Sequence, residues 1–259
     1  MCFKRTLNYL ELEMQPHDVV RFQSVLARFA LAPRWVWLAW LAAALVVGLL
    51  SPRSVGAADA AGAEAMRTIE VNSESITKGK VHFATCSGCH GMNGEGRMGM
   101  APRLNSKTFL AAASDEMLVR TISAGRPGTT MVPWGMALDK AAIDSIVAYM
   151  RSWNEVVPAQ LDESVLNGNV EAGAQVFASI CAACHGKSGG GYMESANGTG
   201  IGRKSFLDSV SNGFIRYLTK HGKSNTPMRP FALESKVAVA NLTDQQIEDV
   251  IAFLRNSAW

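Results

Sequence analysis

The sequence predicts an all-α protein, in which one N-terminal hydrophobic helix precedes two tandem helical domains. Three observations carry this prediction. A C-x-x-C-H motif occurs twice, at residues 86–90 and 181–185. Each copy follows a helical pattern that contains Gly-x-x-x-Phe, and each half closes with an amphipathic helix whose apolar residues recur at i, i+3, i+4 and i+7, at 142–151 and 246–255. An uncharged apolar run at residues 35–50 lies ahead of both halves.

The repeated motif has the spacing of a c-type haem attachment site. Cys86 and Cys89 lie one helical turn apart, so each thiol can form a thioether with a haem vinyl group, and His90 can bind the iron. A four-thiolate zinc site also uses two C-x-x-C pairs, usually about 15–20 residues apart. Here the two copies begin 95 residues apart. The sequence therefore predicts two covalently attached haem c groups, and the second copy supplies Cys181, Cys184 and His185.

The N-terminal residues predict export across a membrane. Residues 1–34 contain five Lys and Arg side chains, whereas only Arg53 closely follows the apolar run 35–50. This asymmetry predicts that residues 1–34 are cytoplasmic and that the chain beyond the run lies on the periplasmic side of a bacterial membrane. Small residues at 55–60 fit a signal-peptide cleavage site. Residues 35–50 are thus either a transmembrane anchor, which we predict, or the hydrophobic region of a cleaved signal peptide.

The exported part divides into two domains. We predict an Ala-, Ser- and Gly-rich tether over 51–74, a first domain over 75–153, a linker over 154–167 and a second domain over 168–259. A linker this short should leave the two domains in contact. From residue 59 to 259 the chain has 19 Lys and Arg and 19 Asp and Glu side chains, so its charge argues against nucleic acid as a partner.

Both halves resemble class I cytochromes c, and the resemblance covers residues 72–259. That family has an N-terminal helix, the haem motif, a loop, an axial methionine and a C-terminal helix. The resemblance implies two cytochrome c-like domains, each built around a covalent haem. In the family a glycine of the first helix lets the last helix cross closely, and an aromatic residue from each helix packs there. The matching residues are Gly79, Phe83 and Tyr149 in the first half and Gly173, Phe177 and Phe253 in the second.

The resemblance also implies a methionine as the second axial ligand of each iron. Met131, in the Pro- and Gly-rich segment 125–135, lies 41 residues after His90. Met228 lies 43 residues after His185 and is flanked by two prolines. The alternatives are Met136 in the first half and His221 in the second, where His221 would give bis-histidine ligation.

Three residues are candidates for tuning the haem. Pro102 matches the family's proline whose carbonyl accepts the ring N–H of the ligand histidine. Thr199 stands at this position in the second half, which leaves the orientation of His185 open and predicts unequal potentials of the two haems. Arg126 and Trp134 are candidate hydrogen-bond partners of a haem propionate.

An iron bound by both His and Met is suited to electron transfer rather than to substrate chemistry. We therefore predict no catalytic residue. We predict a dihaem carrier of single electrons between a respiratory or dehydrogenase donor and an acceptor, as a subunit or partner of a membrane oxidoreductase or oxidase complex. The alternative is a haem enzyme, such as a dihaem peroxidase, in which one iron has a labile axial ligand. Carbon monoxide binding by the reduced protein separates the two.

Overall fold

A computed structural model of the protein describes residues 66–194 and 196–259. This part of the chain is helical, and its only β-type pairings are two isolated bridges. The first half contains α1 (Ser73–His90), α2 (Lys107–Ala112), α3 (Asp115–Ala124) and α4 (Lys140–Ser152). The second half contains α5 (Val170–Val176), α6 (Ala182–His185), α7 (Lys204–Leu207), α8 (Asn212–His221) and α9 (Asp244–Asn256). The predicted hydrophobic helix at 35–50 lies outside the described residues.

The sequence sets where the last helix begins. Thr243 followed three residues later by Gln246 is the sequence signature of a capping box, and the two residues form this reciprocal box at the start of α9. Such a box satisfies two backbone N–H groups that have no partner inside the helix. The cap thereby fixes the start of α9, the helix that crosses α5 at Gly173.

In each half the first and last helices cross closely at a glycine. A Cβ atom added at Gly79 would overlap the carbonyl group of Ser145 in α4, and one at Gly173 would overlap that of Asp249 in α9. Aromatic residues pack beside each crossing. The ring centroids are 5.5 Å apart for Phe83 and Tyr149 and 5.2 Å apart for Phe177 and Phe253. This packing is the one that the sequence predicted.

Gly79→Ala should destabilise the first domain by about 1–3 kcal/mol, because the new methyl group must push α4 away from α1. Thermal unfolding followed by circular dichroism measures this change. Lys80→Ala, at an exposed position of the same helix, is the control and should change stability by no more than about 0.5 kcal/mol. Equal stability of the Gly79 variant and the wild type would show that the crossing is looser than the structure describes.

The helix before the second motif contains a π-helical turn, Phe177–Cys181, between α5 and α6. Cys86 lies seven residues after Gly79, whereas Cys181 lies eight residues after Gly173. A π-turn accommodates one residue more than an α-helical turn. The second domain therefore keeps both its glycine crossing and its haem motif despite the additional residue.

A buried carboxylate holds the chain that precedes α1. The side chain of Asp115 is 1% exposed, and its Oδ2 accepts the backbone N–H groups of Thr68 and Ile69 at 2.8 and 2.9 Å. Its Oδ1 accepts Nε–H of Arg151 at 2.8 Å. The sequence predicted a flexible tether over 51–74, but the described end of this segment is bonded to the first domain.

The two domains belong to one compact unit. They are in contact through the linker and through their hydrophobic cores. The linker has no regular structure and contacts both domains: Ala159 N–H donates to Ala111 O at 2.9 Å, and Arg216 Nη1 donates to Asp162 O at 2.6 Å. The hydrophobic cores also meet, since the rings of Phe109 in α2 and Phe214 in α8 have centroids 6.2 Å apart. The predicted interdomain contact is therefore present.

Candidate haem sites

The first C-x-x-C-H motif occupies the last turn of α1. There Cys86 is half-buried, Cys89 is exposed and His90 is buried. Nδ1 of His90 lies 3.0 Å from the carbonyl oxygen of Pro102. Because a carbonyl can only accept, Nδ1 carries the proton and Nε2 keeps the lone pair that an iron needs. Burial lowers the pKa of His90, which favours this neutral form against the opposing effect of the Pro102 bond.

The second motif has the same arrangement. Nδ1 of His185 lies 2.7 Å from the carbonyl oxygen of Thr199, and burial lowers the pKa of His185. The chain passes close to this ring at Gly198, where an added Cβ would lie 2.9 Å from Nδ1. The sequence left the orientation of His185 open because Thr199 replaces a proline. The backbone carbonyl nevertheless makes the bond, so the substitution gives no reason for unequal potentials.

None of the four motif cysteines forms a disulfide within residues 66–194 and 196–259. Burial raises the pKa of Cys86, and it raises the pKa of Cys181 to about 11. The first cysteine of each motif is half-buried, and the second, Cys89 or Cys184, is exposed. All four are therefore available to form thioethers with haem vinyl groups. A thioether of this kind needs no bond between sulfur and a metal.

The two candidate methionines lie in two loops, which we call methionine loop 1 (125–135) and methionine loop 2 (222–231). The two loops have the same pattern of hydrogen bonds. In loop 1, Arg126 N–H donates to Met131 O at 2.8 Å, and in loop 2, Lys223 N–H donates to Met228 O at 2.8 Å. Each methionine N–H donates to a threonine hydroxyl two residues earlier, at 3.1 and 3.2 Å. The two loops are therefore structural equivalents, in which Arg126 corresponds to Lys223.

The alternative ligands lie in different surroundings from these methionines. Met131 and Met228 are half-buried, whereas Met136 is 92% exposed. His221 is exposed and stacks on Tyr217, with ring centroids 4.4 Å apart. The exposure of these two alternatives favours Met131 and Met228.

The predicted tuning residues differ in their surroundings. Nη1 of Arg126 donates to Ser205 O at 2.5 Å and to Ser209 Oγ at 2.7 Å, and both acceptors belong to the second domain. Its guanidinium also lies over the ring of Phe206, 5.5 Å from the centroid. Trp134 is half-buried and packs against the hydrophobic core. The sequence predicts Arg126 only as a partner of a propionate, whereas in the structure its side chain also bonds across the domain boundary.

Four positively charged side chains lie near the domain boundary. Lys223 lies over the ring of Phe109, 4.7 Å from the centroid, and burial, together with the charge of Arg103, lowers the pKa of Lys223 to about 8. Nε of Arg203 is buried without a hydrogen-bond partner. In the described part of the chain none of the following forms an ion pair: Arg103, Arg126, Arg203 and Lys223. Haem carries two propionate carboxylates, so these residues fit two haem groups.

Comparison with known proteins agrees with the division into two domains. The family model "Cytochrome c" matches residues 170–258, and "Cytochrome C oxidase, cbb3-type, subunit III" matches residues 75–150. Cytochrome c6 of Thermosynechococcus vestitus is 37% identical over 101 residues, which are 38% of this chain and 79% of that protein. The chain belongs to the cytochrome c family. It carries two cytochrome c domains in tandem, as dihaem c-type cytochromes do, and the class of cofactor is covalently bound haem c.

Larger relatives share part of this cytochrome. The cbb3-type cytochrome c oxidase subunit FixP of Azorhizobium caulinodans is 32% identical over 157 residues, 56% of this chain and 49% of that protein. The chain thus spans about half the length of this relative. A solved chain of the Kuenenia stuttgartiensis reducing HAO-like protein complex Kustc0457/Kustc0458 aligns with 74% of this chain and 100% of its own length, at 23% identity and a TM-score of 0.48. No helix within residues 66–194 and 196–259 is both long and apolar enough to cross a membrane.

Proposed function

We propose that this cytochrome carries single electrons through two haem c groups, one in each domain. The observation that carries the proposal is the pair of motif histidines, the buried His90 and the half-buried His185, each of which has Nδ1 on a backbone carbonyl. Haem iron, when bound, supplies reversible one-electron chemistry. The covalent attachments are proposed at Cys86 and Cys89 in the first domain and at Cys181 and Cys184 in the second.

Met131 and Met228 are the proposed second axial ligands. They occupy equivalent positions in two loops with matching hydrogen bonds, and the threonine hydroxyls fix their backbone. A thioether and an imidazole together saturate the iron and favour electron transfer. Pro102 and Thr199 orient the two histidines, and we propose Arg126 and Trp134 as partners of a propionate.

The two domains are proposed to act as successive steps of one relay. Direct contacts between the domains support this, since the rings of Phe109 and Phe214 have centroids 6.2 Å apart and the Ser224 N–H of the second domain donates to Thr108 Oγ1 of the first at 2.9 Å. Contact between the domains provides the short path that electron transfer between two haems requires.

The proposed setting is a membrane oxidase complex on the periplasmic side of the bacterial cytoplasmic membrane. The support is the similarity to FixP and to the cbb3-type subunit CcoP of Azospirillum, which is 29% identical over 141 residues. Residues 35–50 would anchor the protein, and its donor and acceptor would be redox proteins of that complex. Affinity purification of the tagged chain from native membranes should recover a haem–copper oxidase. Recovery of the chain alone, in the soluble fraction, would contradict this setting.

The haem content provides a direct test of the proposed sites. Mass spectrometry of the mature protein should show the added mass of two haems, and a redox titration should count two electrons per chain. The double variants Cys86→Ser/Cys89→Ser and Cys181→Ser/Cys184→Ser should each lose one haem and keep the other. Cys2→Ser is the matched control and should keep both. One haem in the wild type, or carbon monoxide binding as fast as at an open iron, would refute the carrier assignment.

A further inference from the structure

We propose that the opposite domain positions each methionine loop: the second domain holds Met131 through Arg126, and the first domain holds Met228 through Lys223 and Ser224. The inference rests on the proposed function, because it takes Met131 and Met228 as axial ligands. It adds that neither domain positions its own methionine alone. The residues that act through the loops are positioning residues and do not bind the iron.

Methionine loop 1 contacts the second domain through the side chain of Arg126. Arg126 has three side-chain hydrogen bonds, and two of them go to the second domain, at Ser205 O and Ser209 Oγ. Its guanidinium also stacks over Phe206. Gly128, two residues further along the loop, lies against Arg203 of the second domain. A Cβ atom added at Gly128 would be 2.5 Å from Nη1 of Arg203. The side chain of Arg126 is therefore held mainly by the second domain, whereas Thr129 of the first domain bonds the backbone of Met131.

Loop 2 makes the reciprocal contacts with the first domain. Lys223 lies over Phe109, the residue of the first domain that corresponds to Phe206. Ser224 Oγ lies 3.0 Å from Ser106 Oγ, and the Ser224 N–H donates to Thr108 Oγ1 at 2.9 Å. Each loop thus presents a cation to an aromatic ring on the short helix, α2 or α7, of the other domain.

These contacts lie close in sequence to the methionine whose sulfur would bind the iron. Arg126 and Lys223 each lie five residues before the methionine and donate their own N–H to its carbonyl. Methionine is a weak, flexible ligand, so a loop that shifts releases it readily. A contact that fixes Arg126 or Lys223, the second residue of its loop, therefore raises the fraction of protein in which the methionine binds.

The test uses full-length protein in which only one thioether remains. In the background Met228→His, the near-infrared band of methionine ligation reports Met131 alone. Phe206→Leu/Ser209→Ala changes only the second domain, yet should weaken this band. It should also raise the rate at which the reduced first haem binds carbon monoxide by roughly five- to thirty-fold, because that rate follows the fraction with Met131 detached.

Three variants, at Arg120 and Arg126, separate positioning of the loop from a general loss of the interdomain contact. Arg120 also crosses it, donating from Nη2 to Asp208 O at 3.0 Å, but lies in α3 rather than in the loop. Arg120→Gln should therefore leave the carbon monoxide rate unchanged. Arg126→Gln should raise it, and Arg126→Lys should restore it, because the equivalent position in loop 2 is Lys223.

The reciprocal variant tests the other direction. In the background Met131→His, the band reports Met228, and Thr108→Val in the first domain should weaken it and speed carbon monoxide binding to the second haem. Haem content and helicity must match the background protein in every case. Ser209→Ala alone, which removes one hydroxyl, should give a smaller change in the same direction.

The outcomes distinguish this inference from the proposed function. If neither background protein shows the methionine band, the proposed ligands are wrong. If the bands are present but Phe206→Leu/Ser209→Ala and Thr108→Val leave both the bands and the carbon monoxide rates unchanged, the ligands stand and positioning by the opposite domain is refuted. An equal effect of Arg120→Gln would also refute it.

Discussion

Met131→His should lower the midpoint potential of the first haem by on the order of 0.1–0.2 V, within the roughly 0.8 V over which axial ligands set haem potentials. A thioether is a soft ligand that favours ferrous iron, whereas an imidazole donates more strongly and favours ferric iron. Met228→His should do the same to the second haem. A spectroelectrochemical titration of each variant measures the shift.

Each substitution should move one redox wave and leave the other in place. Each should also remove about half of the near-infrared methionine band, because one thioether of two remains. Met136→His is the matched control, since Met136 is exposed and should not bind the iron. If Met131→His moves neither wave while Met136→His moves one, the ligand of the first iron is Met136.

Asp115→Ala should destabilise the first domain by about 3–5 kcal/mol, the usual cost of leaving one partner of a buried ion pair uncompensated. Asp115 and Arg151 are 1% and 8% exposed, so water cannot replace the lost bond. The backbone N–H groups of Thr68 and Ile69 lose their acceptor as well. Urea unfolding, followed by circular dichroism, gives the difference in free energy of unfolding.

A double variant and a surface pair calibrate this result. Asp115→Ala/Arg151→Met removes both charges and should recover part of the lost stability, because no unpaired charge remains. Asp208→Ala breaks the exposed pair with Lys204 and should cost less than about 1 kcal/mol. A loss at Asp115 no larger than the loss at Asp208 would mean that the buried pair contributes little.

The sequence predicts best what short-range patterns encode. The C-x-x-C-H motifs and the capping box at Thr243 depend on residues within one or two helical turns, whereas the two glycine crossings join distant helices and were implied by the resemblance to class I cytochromes c. Each of them imposes a side-chain type, such as the lack of a Cβ at Gly79. The helical fold class and both candidate histidines followed from these patterns.

Two features of the sites could not be predicted in this way. The bond from His185 to Thr199 uses a backbone carbonyl, which every residue has, so the missing proline was a misleading signal. The contacts of Arg126 with Ser205 and Ser209 join residues about 80 positions apart and depend on how the domains dock. One available signal was overlooked: aligning Gly125 with Gly222 places Arg126 opposite Lys223.

The π-turn at Phe177–Cys181 determines how the sequences of the two domains must be aligned. An additional residue in a regular α-helix rotates everything beyond it by about 100° and advances it by 1.5 Å. Such a rotation would turn either Gly173 away from α9 or the thiols of the second motif out of line. The π-turn absorbs this change of phase. If the two halves are aligned without a gap, either the glycine or the C-x-x-C-H motif at the two ends of this helix is therefore out of register. A helical segment exchanged between the domains must for the same reason begin or end on one side of the π-turn.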